Sequence, residues 1–156
     1  MIPCIVNKIP IFICGKPGCS KSLAITLVFA NLRGEKSVDR YFKTLPELTM
    51  VSFQGSDSCT SDGILKAYER AKKYLKTDAS NLLPVFVFDE IGLAELSKHN
   101  PLKVLHSLLE VENKVIGFIG ISNWRLDASK MNRALYLARP DPDEDDLKFT
   151  AMCIYS

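Results

Sequence analysis

Short apolar runs alternate along the chain with stretches whose apolar positions recur at helical spacing. Ile11 to Cys14 reads as a buried strand stopped by Gly15. Lys21 to Leu32 follows as a helix, with Leu23, Leu27 and Ala30 at helical spacing. Thr49 to Phe53 is a second strand. Asp62 to Leu75 is an amphipathic helix with Ile64, Leu65, Tyr68 and Leu75 on one side and lysines on the other. Leu83 to Phe88 (LPVFVF) is a continuous apolar run and reads as a central strand. Pro101 to Glu112 reads as a helix with proline at its start, where the missing N–H costs nothing. Val115 to Ile121 and Ala134 to Ala138 complete five strands. Five apolar strands separated by helices predict a mostly parallel sheet covered on both faces, an α/β fold. In such sheets ligands bind at the carboxyl ends of the strands.

Composition narrows the function without naming it. The chain has 156 residues, 47% of them hydrophobic, which suits one domain with a real core. The net charge of +2 gives no electrostatic case for nucleic acid or a membrane surface. The five cysteines (Cys4, Cys14, Cys19, Cys59, Cys153) are odd in number and lack metal-ligand spacing. His99 and His106 have no cysteine beside them, so no zinc site is expected. The expectation is a reduced, cytoplasmic protein. The opening residues MIPCIVNKIPIFICG are apolar but interrupted by Pro3, Asn7, Lys8 and Pro10, too broken to span a bilayer. The acidic run Asp141 to Asp146 reads as a solvated turn or helix start. Both ends read as cuts through a larger protein, leaving residues 1–156 as a single nucleotide-binding unit.

The chemistry falls at the strand ends. Gly15-Lys16-Pro17-Gly18-Cys19-Ser20-Lys21-Ser22 follows a strand and opens a helix, the setting that a phosphate-binding loop requires. Glycines let backbone N–H groups turn toward phosphate oxygens, and the helix N-terminus adds partial positive charge. Lys21 reaches the β- and γ-phosphates, and the Ser22 hydroxyl is placed to ligate Mg²⁺. Ser20 stands where glycine is usual, so it has to tolerate the local backbone geometry. The strand Val85 to Phe88 delivers Asp89 and Glu90 to the same edge. Asp89 is expected to hold Mg²⁺ and Glu90 to polarise the water that attacks the γ-phosphate.

Asn123, after the strand IGFIGIS, is positioned to orient that water or touch the γ-phosphate. Two arginines compete for the role of a finger offered to a neighbouring subunit's nucleotide. Arg133 is favoured, because Arg139 stands beside the acidic run and is a candidate for a surface ion pair. Ser52 to Ser58 is a polar strand end at the same edge that either meets a substrate or partner or is simply a solvated loop. Cys19 reads as a small filler within the loop, Trp124 as packing, and the two histidines as surface or helix-face residues.

The order of these motifs resembles the large α/β subdomain of an AAA+ ATPase. The strings IFICGKPGCSKSLA, VSFQGSDSCTSDGILKAY, VFVFDEIGLAELSKHNPLKVLHSLLE and IGISNWRLDASKMNRALYLARPDPDEDDL are similar to the mysterin family. These are giant ring-finger E3 ubiquitin ligases with a row of AAA+ units in one chain. The resemblance runs from about Ile11 to Leu147, and the serine before the loop lysine fits it. It implies a three-layer P-loop NTPase sandwich with strand order 5-1-4-3-2. It also implies ATP as the nucleotide, Lys21 and Ser22 as its ligands, Asp89 and Glu90 for metal and water, and Asn123 as sensor. Neighbouring AAA+ units, in cis or in trans, are the implied partners, with the ubiquitin machinery reached through a full-length protein. No ring finger and no helical lid are read in these residues. Two functions follow: Mg-dependent ATP hydrolysis, or ATP held as a regulatory or structural ligand without turnover.

Overall fold

The computed structural model describes residues 1–76, 81–110 and 115–155. Helix α1 (Ile2–Val6) precedes strand β1 (Ile11–Cys14), and helix α2 (Lys21–Asn31) follows the glycine-rich loop. Two short 3-10 turns lead to β2 (Glu47–Gln54), and α3 (Ser61–Lys73) leads to β3 (Leu82–Asp89). Helix α4 (Ile91–Glu95), a 3-10 turn at Pro101–Val104 and α5 (Leu105–Leu108) precede β4 (Gly117–Ser122). Helix α6 (Ala128–Met131), β5 (Leu135–Ala138) and α7 (Glu144–Tyr155) complete the described chain.

All strand pairs are parallel, and the sheet order is β2-β3-β4-β1-β5. Read from the other edge this is 5-1-4-3-2, as the resemblance implied. Because strand side chains alternate, β1 sends Phe12 and Cys14 to one face and Ile11 and Ile13 to the other. The first face packs Phe86, Phe88 and Phe118 against α3 and the segment of α4 and α5, through Tyr68, Ile64, Ile91 and Leu102. The second packs Val85, Val87, Ile119 and Ile121 against Ile5 of α1 and Ile25 of α2. Two separate apolar clusters make the three layers. Among the described residues, no helix is long and apolar enough to cross a membrane.

Several elements differ from expectation. Helix α2 buries Lys21 and Ile25, whereas Leu23 and Leu27 are more than half exposed. The cause is the loop: Lys21 has to face the cleft, and one turn on this sets Ile25, not Leu23 or Leu27, against the sheet. In α3, Ile64 and Tyr68 are buried with Ala67 and Ala71, while Leu65 stays partly exposed, as does Leu75 in the 3-10 turn at Tyr74–Lys76 that follows. The helix expected over 101–112 is a 3-10 turn at Pro101–Val104 joined to a single turn at Leu105–Leu108, and its last two positions lie outside the described residues. The acidic run does open a helix: α7 begins at Glu144 with three carboxylates in its first turn, which suits its dipole.

Candidate functional site

The carboxyl ends of β1, β3 and β4 converge on one cleft. Register places Cys14 beside Ser122, and the Gly15 N–H donates to the Ser122 carbonyl at 3.2 Å. The loop therefore starts anchored to β4. It then turns through two left-handed residues, Gly18 (φ 86°) and Ser20 (φ 56°). Gly18 occupies that region at no steric cost. Ser20 pays for it, as its departure from glycine required. Helix α2 begins one residue later with no side-chain cap from Ser20. Its first-turn N–H groups have no intrahelical acceptor and open toward the cleft, the arrangement that favours an anion.

A cavity of about 460 Å³ lies against this helix end. Residues 17–23 of the loop form one wall, Asp89 and Glu90 another, and Ile121 with Asn123 the third. Lys21 is nine-tenths buried and fully bonded: its Nζ donates to the Gly15 carbonyl (2.6 Å), the Lys16 carbonyl (2.8 Å) and Asn123 Oδ1 (3.1 Å). The Asn123 amide then donates through Nδ2 to both Glu90 oxygens, at 3.1 and 2.9 Å. The flanking donors and acceptors fix the orientation of this amide, since an ammonium can only donate and a carboxylate only accept. Asp89 Oδ1 accepts the Glu90 N–H at 2.8 Å, and Glu90 itself is left-handed (φ 49°) at the start of α4. The donor set suits a magnesium nucleotide: one hydroxyl, one carboxylate and a cationic loop leave most of the metal's coordination to phosphate and water.

Strand β1 carries Cys14 just behind the loop. Burial pushes its thiol up, against a smaller opposing pull from Lys21, so the group is a neutral filler. Lys16 points outward and pairs with Asp141 at 2.5 Å; this hydrogen bond and charge raise the Lys16 pKa. Among the described residues, the ion pairs of the acidic run are made by Lys16 with Asp141 and by Lys148 with Glu144 and Asp145, where Arg139 had been the candidate. Arg139 instead holds the loop through its backbone, its N–H donating to the Cys14 carbonyl at 2.7 Å. A second cavity of about 420 Å³ adjoins the loop on its other side, lined by Ala24, Leu137, Ala138 and Pro140 and sharing Cys19, Ser20 and Lys21 with the first. Sequence reasoning missed these walls; the signal was that β5 neighbours β1, which puts its carboxyl end beside the loop.

The structure brings together residues 15–22, Asp89, Glu90 and Asn123, and it leaves Arg133 outside. Leu135 pairs with Ile11 and Ala138 with Cys14, so Arg133 lies before the amino end of β5. Four residues of strand, roughly 13 Å, separate that level from the loop. There Arg133 meets His106 Nδ1 at 2.5 Å and Glu110 at 3.6 Å. His106, read from sequence as a surface or helix-face residue, is its partner. Trp124, expected to be packing, is partly exposed, with one edge of its ring against Gly92 and its backbone N–H held by Ser122 Oγ at 3.2 Å. Among the described residues, no group of three or more histidine, cysteine, aspartate or glutamate side chains could hold a metal by itself.

Sheet order, glycine-rich loop and acidic strand end together define an AAA+ module. Solved structures agree on the fold: C. elegans PCH-2 superposes with a TM-score of 0.66 at 16% identity, over 96% of this chain and 40% of that one. The Aeropyrum pernix ORC2 protein, solved as ADPNP-ADP complexes, gives 0.58 at 12% identity, over 92% of this chain and 44% of that one. The family model for the RNF213 AAA domain matches residues 1–146, and the chain belongs to that family, the mysterin family of the sequence resemblance. It is 41% identical to the human E3 ubiquitin-protein ligase RNF213 over 165 residues, covering 100% of this chain and 3% of that protein. The Danio rerio E3 ubiquitin-protein ligase rnf213-beta is 43% identical over 166 residues, with the same coverage. The chain thus spans about 3% of the length of the curated relatives it matches.

Proposed function

We propose that this module binds ATP with magnesium and hydrolyses it, as one unit of a longer cytoplasmic protein. The observation that carries the reading is the bonded line Lys21–Asn123–Glu90, which crosses a cavity at an uncapped helix N-terminus. The backbone of residues 15–22 cradles the phosphates, with Lys21 releasing Asn123 to meet them. Ser22 and Asp89 would hold magnesium, which when bound neutralises charge developing on the phosphates. Glu90 orients the attacking water and takes its proton, and Asn123 fixes the carboxylate. The apolar cavity beside Ala24, Leu137 and Ala138 suits the flat base of the nucleotide.

Arg133 serves a neighbouring AAA+ unit, because it lies at the opposite end of the sheet from its own cleft. The ubiquitin machinery named for the relatives would be engaged by other parts of the longer protein. The test is phosphate release with and without Mg²⁺, in the parent and in Glu90→Gln. The variant should keep ATP affinity and lose turnover; parental turnover in Glu90→Gln would remove Glu90 from the mechanism.

A second reading has its own observation. Both oxygens of Glu90 are engaged by Asn123, and a carboxylate so held is a poor base until released. This favours ATP bound as a regulatory ligand without turnover in the isolated unit. Binding without phosphate release, in the parent and in a longer chain alike, would select it.

A further inference from the structure

We infer that Gly55 is a positioning residue for Glu90: the end of β2 packs directly on the peptide that follows the proposed base, in a space that only a glycine leaves. The inference rests on the reading of Glu90 as the group that orients the attacking water. Gly55 follows Gln54, which pairs in register with Asp89, and its N–H donates to the Asp89 carbonyl at 2.8 Å. A Cβ at Gly55 would lie 2.3 Å from the Glu90 carbonyl oxygen and 2.9 Å from its carbon. Cβ atoms essentially never lie within 3.0 Å of a heavy atom outside their own and adjoining residues, so one of the two segments has to move by close to an ångström.

The Glu90 carbonyl is held from its other side as well, since it accepts the Leu93 N–H that opens α4 at 3.0 Å. Gly55 is therefore one jaw of a clamp on this peptide and the α4 turn is the other. What the clamp holds is unusual. Glu90 sits at φ 49°, ψ 39°, a left-handed conformation that a glutamate enters only under external constraint. Pushing that carbonyl away displaces the Glu90 Cα, and with it the approach of the Glu90 carboxylate to the Asn123 amide. Gly55 itself is not among the positive-φ glycines, which among the described residues are Gly18 and Gly34. Alanine at 55 thus brings no backbone strain of its own; its whole effect is exerted on Glu90.

The loop beyond Gly55 tightens the same connection. The Cys59 carbonyl accepts the buried Ser97 hydroxyl at 2.8 Å, and Ser61 Oγ reaches the Pro101 carbonyl at 3.3 Å. Residues 55–61 are thereby fastened at three points to the segment running from Asp89 to Pro101. A displacement at Gly55 cannot be absorbed by the loop swinging free.

The experiment compares Gly55→Ala with Gly63→Ala in the 156-residue chain. Gly63 is a control, since a Cβ there makes only an ordinary contact at 3.5 Å with Thr60 Oγ1. Gly55→Ala should lower kcat by tenfold to about a hundredfold, the usual effect of a displacement near 1 Å, while Mg-ATP affinity stays within threefold. Gly63→Ala should change neither. A readout independent of turnover is the emission of Trp124, the single tryptophan, whose ring lies against Gly92 two residues after Glu90. Gly55→Ala should shift it and Gly63→Ala should not. If the parent shows no turnover, or Glu90→Gln keeps it, the catalytic reading fails while the emission still decides the geometry.

Parental kcat together with parental Trp124 emission in Gly55→Ala overturns the inference. Should Gly55→Ala fail to fold, Glu90→Gly is added to it, because glycine at 90 lets the peptide rotate freely. Restored cooperative unfolding in the double variant supports the clamp. A double variant that stays unfolded while Glu90→Gly alone folds overturns it.

Discussion

Asn123 donates from one amide nitrogen to both carboxylate oxygens of Glu90, at 3.1 and 2.9 Å, while its carbonyl oxygen receives Lys21 Nζ. One side chain is therefore bonded both to the cation and to the carboxylate that the proposed function assigns to phosphate and water. Asn123→Ala should lower kcat by at least tenfold, through loss of orientation, with Mg-ATP affinity changed less than threefold. Asn123→Asp should be worse in turnover than alanine, because a second carboxylate would repel Glu90. Steady-state phosphate release beside equilibrium binding separates the two effects; equal turnover in parent and Asn123→Ala would contradict the restraint.

On the proposed function, Lys21 would exchange its contacts with the Gly15 and Lys16 carbonyls and with Asn123 for charge-assisted bonds to phosphate. Such bonds contribute about 1.5–3 kcal/mol each. Lys21→Ala should therefore weaken ATP binding roughly tenfold to a hundredfold or more, read by calorimetry. The far-UV spectrum should be unchanged, because the sheet beneath the loop does not depend on the ammonium.

Arg133 leans on His106 and Glu110 at the amino end of the sheet. Arg133→Ala should leave ATP binding and turnover of the isolated chain unchanged. In a longer chain carrying adjacent AAA+ units it should slow hydrolysis tenfold or more. Loss of turnover in the isolated chain would place Arg133 in its own cleft, against the register of β5.

Much of this was readable in the sequence, and the reasons are physical. Strands buried on both faces carry continuous apolar residues, so LPVFVF and IGFIGIS announced β3 and β4 directly. The loop declared itself because backbone cradling needs Gly18 and the helix start needs Lys21. Helices α1, α4 and α6 were not legible, since four or five residues hold too little periodicity to register. Leu23 and Leu27 misled because helical spacing marks a face without saying which way it turns; the demand that Lys21 enter the cleft decided that. The Asn123 bridge and the Gly55 clamp join residues far apart in sequence, so only the packed sheet reveals them.

Tyr68 gives a prediction that depends on pH. Its hydroxyl is buried against the first face of the sheet, within reach of the Leu108 carbonyl at 3.4 Å, and burial, with a smaller contribution from Glu69, pushes its pKa up to about 12. Below pH 10 the phenol is neutral in both folded and unfolded chains and its contribution is intact. Between pH 10 and about 12 the unfolded chain ionises first, so stability falls as pH rises, by about 2–3 kcal/mol over the full interval. Tyr68→Phe should flatten that alkaline decline relative to the parent, measured by urea midpoints at pH 9 and pH 11.5.

The position of β1 has a consequence for how the molecule is made. Ile11 to Cys14 is made before the other strands of its sheet, yet its two neighbours, β4 and β5, lie more than a hundred residues later in the chain. The inner strand bearing the phosphate loop is thus the first sheet segment translated and among the last enclosed. Until residues 117–138 arrive, an apolar Ile-Phe-Ile-Cys run has nowhere native to dock. High-contact-order pairing of this kind folds slowly and leaves adhesive edges open meanwhile. The nascent chain should depend on chaperones until β4 and β5 close around β1, and the nucleotide cleft should come into being last.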